Sequence, residues 1–412
     1  MNLFEDLKWR GLIGQTAGEN IEEALNKGGL TFYMGVDPTG KSVHAGNLLA
    51  IIGAMRLARA GHHPILLVGG ATGMIGDPSG KNAERNLLDA NTTKDNASKI
   101  LAQLKSLLPD ATFVNNYDWV SNMNVITFLR DYGKFLTVNY MMAKESVKKR
   151  IETGISYTEF SYQVLQALDY LYLYQHYNCR LQVGGQDQWG NITSGFELIR
   201  KSLGEDANVY CLTFPLLLKA DGTKFGKTAG GAVWLDPELT SPYKFYQFWL
   251  SVADDEVISR LKQYTFLSKE EIDDIEAKWN EAREQRYAQK MLAKEVTLLV
   301  HGESGLEKAM RITDAVFNGD VTKLSKDEIE DAFKDDKVVE VSEEMNVVDL
   351  LAYSGLAQSK SDARKLVQGG GISVNGEKIT DIAFLVKKDN AIDNTYSFIK
   401  KGKKNHCLVK HL

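Results

Sequence analysis

Cysteine is scarce in this sequence, with three residues among 412: Cys179, Cys211 and Cys407. Because they are odd in number and far apart, they predict neither a disulfide framework nor a Cys-x-x-Cys metal site. The sequence also lacks a run of eighteen apolar residues, which argues against a transmembrane helix. Its first residues carry acidic side chains and no apolar segment typical of a signal peptide. These absences predict a cytoplasmic protein without a structural metal.

Neither sign of charge is in large excess, since 49 basic residues stand against 54 acidic ones. A content of 43% hydrophobic and 25% charged residues excludes a disordered or collagen-like chain, and the length predicts two or three domains. The charge is unevenly distributed. Residues 345–412 hold eleven basic and six acidic side chains, a balance of +5, so the remainder carries −10. A basic tail on an acidic body indicates an anionic partner at the tail.

Short apolar runs alternate with longer amphipathic stretches in the first 240 residues. This pattern predicts βαβ units and a parallel sheet covered by helices. The predicted strands are 30–36, 64–70, 179–185 and 210–218, and the predicted helices are 46–61, 121–149, 156–177 and 191–203. Residues 242–335 have a helical period without a strand pattern, and FKDDKVVEVSEEM (333–345) predicts a linker. The sequence thus predicts three domains, with bounds 1–240, 241–335 and 345–412.

The segment GVDPTGKS, residues 35–42, satisfies the G-x-x-x-x-G-K-[ST] phosphate-loop pattern. In such a loop Lys41 and Ser42 would contact phosphate and Mg²⁺. No later strand ends in an aspartate that could hold the metal, and Pro38 removes a backbone donor. A phosphate-loop NTPase that uses Lys41 therefore stays open as an alternative.

The overlapping residues His44-Ala45-Gly46-Asn47 fall at the start of the predicted 46–61 helix. Free backbone N–H groups and the helix dipole favour an anion there. His44 and Asn47 are three residues apart and can face the same side of the first turn. Gly46 would let a planar ring approach the backbone. A capping histidine with a solvated asparagine is the plain structural alternative.

A second basic segment, KADGTKFGKT at 219–228, carries Lys224 and Lys227 on a glycine-containing loop. Two cations on such a loop could close over a triphosphate and neutralise the charge on a leaving pyrophosphate. A solvated basic turn is the alternative for this segment as well.

HAGN followed at this distance by KFGKT resembles the paired signatures of class I aminoacyl-tRNA synthetases, His-Ile-Gly-His and Lys-Met-Ser-Lys-Ser. Four further stretches are similar to bacterial tyrosyl-tRNA synthetases: YMGVDPTGKSVHAGN, LVGGATGMIGDPSGK, SYTEFSYQVLQALDYLYLY and QVGGQDQWGNITSG. The resemblance covers essentially the whole chain. It departs from the signatures at five positions: Ala45, Asn47, Phe225, Gly226 and Thr228. These departures leave the nucleotide affinity open.

The resemblance implies which side chains bind tyrosine. Tyr162, Gln166 and Asp169 are spaced i, i+4 and i+7, so they share one helix face. With Asp77, the first two would hold the α-amino group, and Tyr33 with Asp169 would hold the phenolic hydroxyl. Gln182 and Gln188 would serve the carboxylate end or support the pocket.

The resemblance also implies an ATP site and a reaction. The residues expected at the nucleotide are Gly35, Asp37, His44, Gly46, Asn47, Gly184, Asp187 and Lys227. Those expected to act on the phosphates are Thr39, His44, Asn47, Lys81, Arg85, Lys224 and Lys227, with Mg²⁺ carried by ATP. Tyrosine would be joined to AMP with release of pyrophosphate and then transferred to the 3′-terminal ribose of tRNA(Tyr).

By the same resemblance, the expected architecture is a Rossmann-like doubly wound sheet with a helical insertion near 115–180. An α-helical domain and a small α+β S-four-like RNA-binding domain would follow it. The family implies a homodimer, with interface residues within 121–160. A non-catalytic RNA-binding relative remains an alternative, and tryptophanyl-type activity is a milder one that Tyr33 and Asp169 argue against.

Overall fold

The computed structural model describes residues 1–80, 88–204, 206–217, 225–228, 231–318, 321–333, 338–402 and 405–412. The chain divides into two units. The first unit comprises Met1–Thr240 and Val252–Leu292, and the second comprises Ser241–Ser251 and Ala293–Leu412. In the described residues no helix is both long and apolar enough to cross a membrane.

A six-stranded sheet forms the centre of the first unit. Its strands are β1 (Thr16–Ala17), β2 (Thr31–Val36), β3 (His63–Val68), β4 (Thr112–Asn115), β5 (Cys179–Gly185) and β6 (Tyr210–Phe214). Their order is β1-β6-β5-β2-β3-β4, and all pairs are parallel except β1 with β6. The predicted α/β class with a doubly wound parallel sheet is therefore confirmed. The chain progresses in opposite directions from β2 and β5, so these two adjacent strands mark the topological switch point.

Helices cover this sheet and connect its strands. Those before residue 241 are α1 (Leu3–Trp9), α2 (Ile21–Lys27), α3 (Ala45–Arg59), α4 (Thr72–Ile75), α5 (Ala90–Leu107), α6 (Tyr117–Val120), α7 (Val125–Thr127), α8 (Val138–Met142), α9 (Glu145–Ile151), α10 (Tyr157–Tyr177) and α11 (Trp189–Leu203). The predicted 121–149 helix is wrong as one element, because this stretch is broken into α7, a π-helical turn, a 3₁₀ turn, α8 and α9. Thr137 caps α8 anew, which fits separate short helices.

Local sequence explains the two helices that position the site. Helix α3 begins at the N-cap His44 and ends before Gly61, whose φ of 89° suits glycine. Helix α10 is capped by the Ser156 side chain, which accepts from the Glu159 N–H, and it ends at Asn178 in the left-handed region. A Cβ on Gly53 would overlap the Phe214 ring, so this glycine lets α3 lie directly on β6. Helix α3 is thereby fixed against the sheet.

The second unit combines helices with a five-stranded sheet. Its helices are α12 (Pro242–Leu250), α16 (Lys326–Ala332), α17 (Val347–Ser354), α18 (Lys360–Gln368) and part of α15 (Tyr287–Asn318), which is interrupted at Gly302. The strands are β9 (Val338–Val341), β11 (Ile372–Val374), β12 (Glu377–Ile379), β14 (Tyr396–Lys401) and β15 (Asn405–His411), in the order β12-β11-β14-β15-β9. A separate pair consists of β10 (Met345–Asn346) and β13 (Leu385–Val386). The first unit contains the remaining elements, β7 (Lys227–Thr228), β8 (Gly231–Ala232), α13 (Val257–Tyr264) and α14 (Lys269–Glu281).

An Asn-Gly turn joins β11 to β12 in this second unit, where Asn375 and Gly376 have positive φ. The predicted linker 333–345 is only partly a linker, because residues 338–341 form β9 and pair in parallel with β15. Val339 and Val341 are buried in the core of this sheet, and that burial explains the strand.

Candidate active site

A cavity of about 360 Å³ opens at the carboxyl ends of β2 and β5, where parallel α/β sheets bind ligands. Every predicted site residue whose side chain the structure describes lines it: Tyr33, Gly35, Asp37, Thr39, His44, Gly46, Asn47, Asp77, Tyr162, Gln166, Asp169, Gln182, Gly184, Asp187 and Gln188. Lys81, Arg85 and Lys224 lie outside the described residues, and of Lys227 only the backbone is described. The sequence thus identified one contiguous surface.

Tyr33 and Asp169 form the closed end of this cavity. Both are buried, with 1% and 2% of their surface exposed. Among the residues that the structure describes, none is a hydrogen-bond partner for the Tyr33 hydroxyl. Because a buried hydroxyl without a partner is costly, this group is suited to pair with a polar atom of a ligand.

Two side chains that the sequence analysis missed hold Asp169. Asn116 donates to its Oδ2 at 3.0 Å, and the Trp119 indole N–H donates to its Oδ1 at 2.9 Å. Asn116 is fully buried and also accepts from the Ala71 N–H. The available signal was position: Asn116 follows the last residue of β4, at the same sheet edge as the other site residues.

Burial dominates the electrostatics of this closed end. It raises the pKa of Asp169 to about 7, with Asp37 adding repulsion, while the hydrogen bonds from Asn116 and Trp119 oppose the rise. Burial, and next Asp169, hold the pKa of Tyr33 well above its usual range. The Tyr33 phenol therefore stays neutral, and Asp169 titrates near neutral pH.

A second polar cluster surrounds Asp77 on one side wall. Its carboxylate accepts from Gln188 Nε2 at 2.6 Å, from Asn191 Nδ2 at 3.1 Å and from the Ser79 N–H at 2.9 Å. Asn191 was also missed by the sequence analysis, although it lies in the QVGGQDQWGN segment. These bonds join the glycine-rich loop after β3 to the start of α11, and they aim a buried carboxylate at the cavity.

Tyr162 and Asp37 form a direct pair beside this cluster. The Tyr162 hydroxyl donates to Asp37 Oδ2 at 2.7 Å, and Thr72 donates to Oδ1 at 2.7 Å. Burial, followed by Asp37, holds the pKa of Tyr162 well above its usual range. Asp37, expected at the nucleotide, therefore also orients a residue expected at the amino group. Gln166 lines the wall one helical turn from Tyr162 and is half-buried.

Gln182 lies on β5 in register with Tyr33 on β2. Its Oε1 is buried and has no hydrogen-bond partner among the described residues. At the end of the same strand, a Cβ on Gly185 would crowd the Asp187 carboxylate. The strand thus places Gln182 Oε1 deep in the cavity as an acceptor, and the turn after it places the Asp187 carboxylate near the opening.

The opening is formed by the start of α3. His44 Nδ1 accepts from the Gly46 N–H at 3.1 Å, so the ring proton belongs on Nε2, which is then a donor. Asn47 lies exposed in the first turn, and Gly46 is half-buried. This arrangement places an N–H donor and a helix N-terminus together, which is suited to anion binding.

The two signature segments are in direct contact. A Cβ on Gly226 would overlap the Gly46 backbone nitrogen, and Gly226 has a φ of 89°. Backbone bonds continue the association: the Ala45 N–H donates to Val233 O at 2.7 Å, and the Val233 N–H donates to Gly226 O at 3.0 Å. Val233, the residue after β8, therefore bonds to both signature segments, at Ala45 and at Gly226. Phe225 packs on Tyr264 of α13 at a ring distance of 5.7 Å.

Ser42 does not have the environment of a phosphate-loop serine. It is 5% exposed, its hydroxyl donates to Val43 O at 2.8 Å, and Gln103 of α5 donates to it at 2.9 Å. The hydroxyl thus joins α5 to the turn before α3. Among the described residues no group of three His, Cys, Asp or Glu side chains could hold a metal ion.

Comparisons with known proteins extend over the whole chain. The family described as tRNA synthetases class I (W and Y) matches residues 25–318, and the tyrosine–tRNA ligase SYY-like C-terminal domain matches residues 328–409. The tyrosine–tRNA ligase of Bacillus caldotenax is 51% identical over 419 aligned positions, covering 100% of both proteins. That of Bacillus pumilus (strain SAFR-032) is 52% identical over 418 positions, covering 99% of both.

A solved structure agrees with these matches. The C-terminally truncated mitochondrial tyrosyl-tRNA synthetase of Aspergillus nidulans superimposes with a TM-score of 0.69 at 29% identity, covering 77% of this chain and 94% of that one. Sequence, fold and site geometry thus agree with the resemblance that the signature motifs indicated. The chain belongs to the tyrosine–tRNA ligases, a family of class I aminoacyl-tRNA synthetases.

Proposed function

We propose that this cavity activates L-tyrosine with ATP and that the enzyme then transfers the tyrosyl group to the 3′-terminal ribose of tRNA(Tyr). The observation that carries this proposal is the closed end of the cavity. There the Tyr33 hydroxyl has no hydrogen-bond partner among the described residues, and Asp169 is buried beside it. The phenolic hydroxyl of the substrate would donate to Asp169 and accept from Tyr33. Phenylalanine would leave both groups unpaired, so the site selects against it.

The α-amino group of the substrate is assigned to Asp77, Tyr162 and Gln166. Asp77 is fixed by three donors and Tyr162 by Asp37, so their oxygens are oriented before the ligand arrives. A buried carboxylate beside a phenol and an amide oxygen suits an ammonium group. Gln182 and Gln188 are assigned to the carboxylate end of the same ligand or to support of the pocket.

The reaction joins tyrosine to AMP. A carboxylate oxygen of tyrosine attacks the α-phosphorus of ATP, and the bond to the β-phosphate oxygen breaks to release pyrophosphate. No covalent bond to the enzyme is needed, so catalysis consists of positioning and charge stabilisation. His44 Nε2, Asn47, Thr39 and the N-terminus of α3 are assigned to the phosphates, and Gly46, Gly184 and Asp187 to adenosine.

The remaining cations are assigned from the family signature alone. Lys81, Arg85, Lys224 and Lys227 would gather around the departing pyrophosphate. Mg²⁺ would enter with ATP and neutralise charge on the phosphate oxygens. ATP itself is a substrate of the class I enzymes to which the chain belongs.

The second unit is assigned to the tRNA. Helix α18 precedes the β11–β12 hairpin, as in an S-four-like domain, and the region from 345 has a net charge of +5. Binding through phosphates would make the tRNA affinity fall steeply with salt. The helical stretch 241–335, of which Val252–Leu292 belongs to the first unit, is assigned to the anticodon side.

A homodimer completes the proposal. Between 121 and 160, several apolar side chains are exposed, and four exceed half of their full surface: Val125, Ile126, Val138 and Tyr157. A segment that exposes this many large apolar side chains is a candidate association surface. Sedimentation of the protein before and after Ile126→Asp tests this assignment, and a monomer already in the unchanged protein would contradict it.

Tyrosine-dependent exchange of labelled pyrophosphate into ATP, without tRNA, tests the central reaction. Phenylalanine and tryptophan serve as controls. Exchange with tyrosine alone is expected. Exchange with tryptophan instead would overturn the roles of Tyr33 and Asp169, and ATP hydrolysis without any exchange would favour the phosphate-loop alternative. Lys41→Ala and Lys224→Ala further distinguish tyrosine activation from the phosphate-loop alternative, since only Lys224→Ala should abolish exchange if our proposal is correct.

A further inference from the structure

Three aromatic side chains form a ring stack that leads from the protein surface to the closed end of the cavity. The rings of Trp119 and Tyr172 are parallel to within 14°, with centroids 4.3 Å apart. The rings of Tyr172 and His176 are 4.1 Å apart at 20°. His176 is exposed, and its Nδ1 lies 2.9 Å from Tyr172 O, which fixes the outer ring. The ring stack comprises these three residues.

The inner ring of the stack contacts the residue that we assign to phenol recognition. Trp119 Nε1 donates to Asp169 Oδ1 at 2.9 Å, while Asn116 satisfies the other oxygen. A hydrogen bond of this kind weakens steeply as its angle departs from linear. The orientation of the indole plane therefore decides how strongly this donor holds Asp169.

The chain offers little local support for that orientation. Trp119 lies on α6, a helix of four residues without a side-chain N-cap. In contrast, Tyr172 and His176 lie on α10, a helix of 21 residues, and they share a face with Asp169 at spacings of three and seven. One rigid helix thus carries both the acceptor carboxylate and the rings that orient its donor.

We propose that Tyr172, backed by His176, is a positioning residue that sharpens the choice of tyrosine over phenylalanine by holding the Trp119 indole in line with Asp169. The inference rests on the proposed function, because it assigns the selectivity of the same site. Tyr172 does not line the cavity, so it acts through Trp119.

Charge gives the proposal a second consequence. The Trp119 hydrogen bond lowers the pKa of Asp169 against the effect of burial, so loss of that bond raises it. The titratable groups that face this carboxylate are Tyr33, Asp37 and Tyr162. Both tyrosines stay neutral, and Asp37 is held by Tyr162 and Thr72. When the Trp119 indole is held less firmly, tyrosine binding should therefore be lost at a higher pH.

The test compares three variants in pyrophosphate exchange, with the ratio of kcat/KM for tyrosine to that for phenylalanine as the readout. Tyr172→Ala should lower this ratio about tenfold, as expected for weakening one hydrogen bond to a charged group. Tyr172→Phe keeps the stack and should retain the ratio. Tyr174→Ala removes an equal ring from the same helix, one that packs on Arg180, and should also retain it. The pH midpoint of the tyrosine KM should rise only in Tyr172→Ala.

A double-variant cycle keeps the proposal falsifiable. In a Trp119→Phe background, which lacks the N–H, Tyr172→Ala should change the ratio less than twofold. An equal loss with both amino acids, or the same loss in both backgrounds, would overturn the proposal. If Tyr172→Ala does not fold, Tyr172→Leu and His176→Ala take its place, and an unchanged ratio in both would overturn it. Exchange with tyrosine by the unchanged protein decides the proposed function separately.

Discussion

The two ends of the cavity are built in different ways. At the closed end, buried side chains on regular elements bond to one another, as Asn116 and Trp119 do to Asp169. At the opening, backbone groups and glycines meet, as Gly226 does with Gly46 and Val233 with Ala45. Among the described residues, the Tyr33 hydroxyl at the closed end has no hydrogen-bond partner, whereas the opening offers a helix N-terminus.

This difference indicates a division of tasks. Buried, oriented polar side chains reject ligands that cannot pair with them, so the closed end is suited to selection. The backbone N–H groups and the helix N-terminus at the opening are suited to stabilising negative charge during the reaction. Their positions depend on how closely the separate segments fit together. Changes at the closed end should alter which amino acid reacts, and changes at the opening should alter how fast it reacts.

The largest effect is expected at the closed end, for Asp169→Asn. The amide presents an N–H to at least one of the Asn116 and Trp119 donors, leaving buried groups unpaired. Loss of hydrogen bonds to a charged group should reduce kcat/KM for tyrosine by roughly 100-fold to 1000-fold in pyrophosphate exchange. The low value for phenylalanine should hardly change. Equal losses for both amino acids would remove the distinction between the two ends.

A smaller effect is expected at the opening, for Gly226→Ala. The added Cβ overlaps the Gly46 nitrogen, and a residue with a side chain is strained at this φ. Exchange should slow by roughly 10-fold to 100-fold while the Kd for tyrosine, measured by equilibrium dialysis, stays within twofold. Gly231→Ala is the matched control, because Gly231 also has a positive φ but its Cβ would meet no atom of the described residues within 4 Å. Weaker tyrosine binding in Gly226→Ala alone would contradict the division.

The closed end should make tyrosine affinity and folding stability change in opposite directions with pH. The pKa of Asp169 is raised to about 7, and the ionised carboxylate is the form that accepts from a phenol. Tyrosine affinity should therefore fall about tenfold from pH 8 to pH 6. A raised pKa in the folded state makes the same group stabilise the fold as pH decreases, by about 1 kcal/mol over this range.

Equilibrium dialysis and urea unfolding at pH 6, 7 and 8 measure these two quantities. Asp169→Asn is the control, because it should abolish both dependences. Affinity and stability that change in the same direction with pH would show that another group dominates the titration.

The smallest effect is expected for Gln103→Met, because Gln103 of α5 supports the opening without lining the cavity. Gln103 Oε1 accepts from the Val43 N–H at 2.9 Å and thus fixes the turn that leads into His44. Its loss should slow exchange about fivefold without changing the Kd for tyrosine. Ser106→Ala, one turn away on the exposed side of α5, is the control. A change in the ratio of kcat/KM for tyrosine to that for phenylalanine would show that Gln103 acts on the closed end and not on the opening.

The sequence predicted four of the six strands of the main sheet, all except β1 and β4, and the residues that line the cavity, because these follow local patterns. Buried strands such as PILLVGG (64–70) are predicted from their apolar runs, and motif residues follow strands at one sheet edge. It could not predict the breaks in 121–149 or the strand at 338–341. Those depend on partners distant in sequence: β9 forms because β15, about seventy residues later, pairs with it.

The same limit applies within the site. Trp119 and Asn191 were missed because an indole or an amide gains its role only from a distant carboxylate, Asp169 or Asp77. The contact between Gly46 and Gly226 was equally hidden, although both signature segments were found. Spacing along a chain shows which residues share a helix face. It does not show which loops meet across 180 positions.

The order in which the site residues occur along the chain has a consequence for synthesis on the ribosome. The bonds of the closed end and side wall join residues between Tyr33 and Asn191, whereas the opening also needs Gly226, Val233 and Tyr264. On a growing chain, every residue that we assign to tyrosine is therefore synthesised before Gly226 and Val233, which complete the opening.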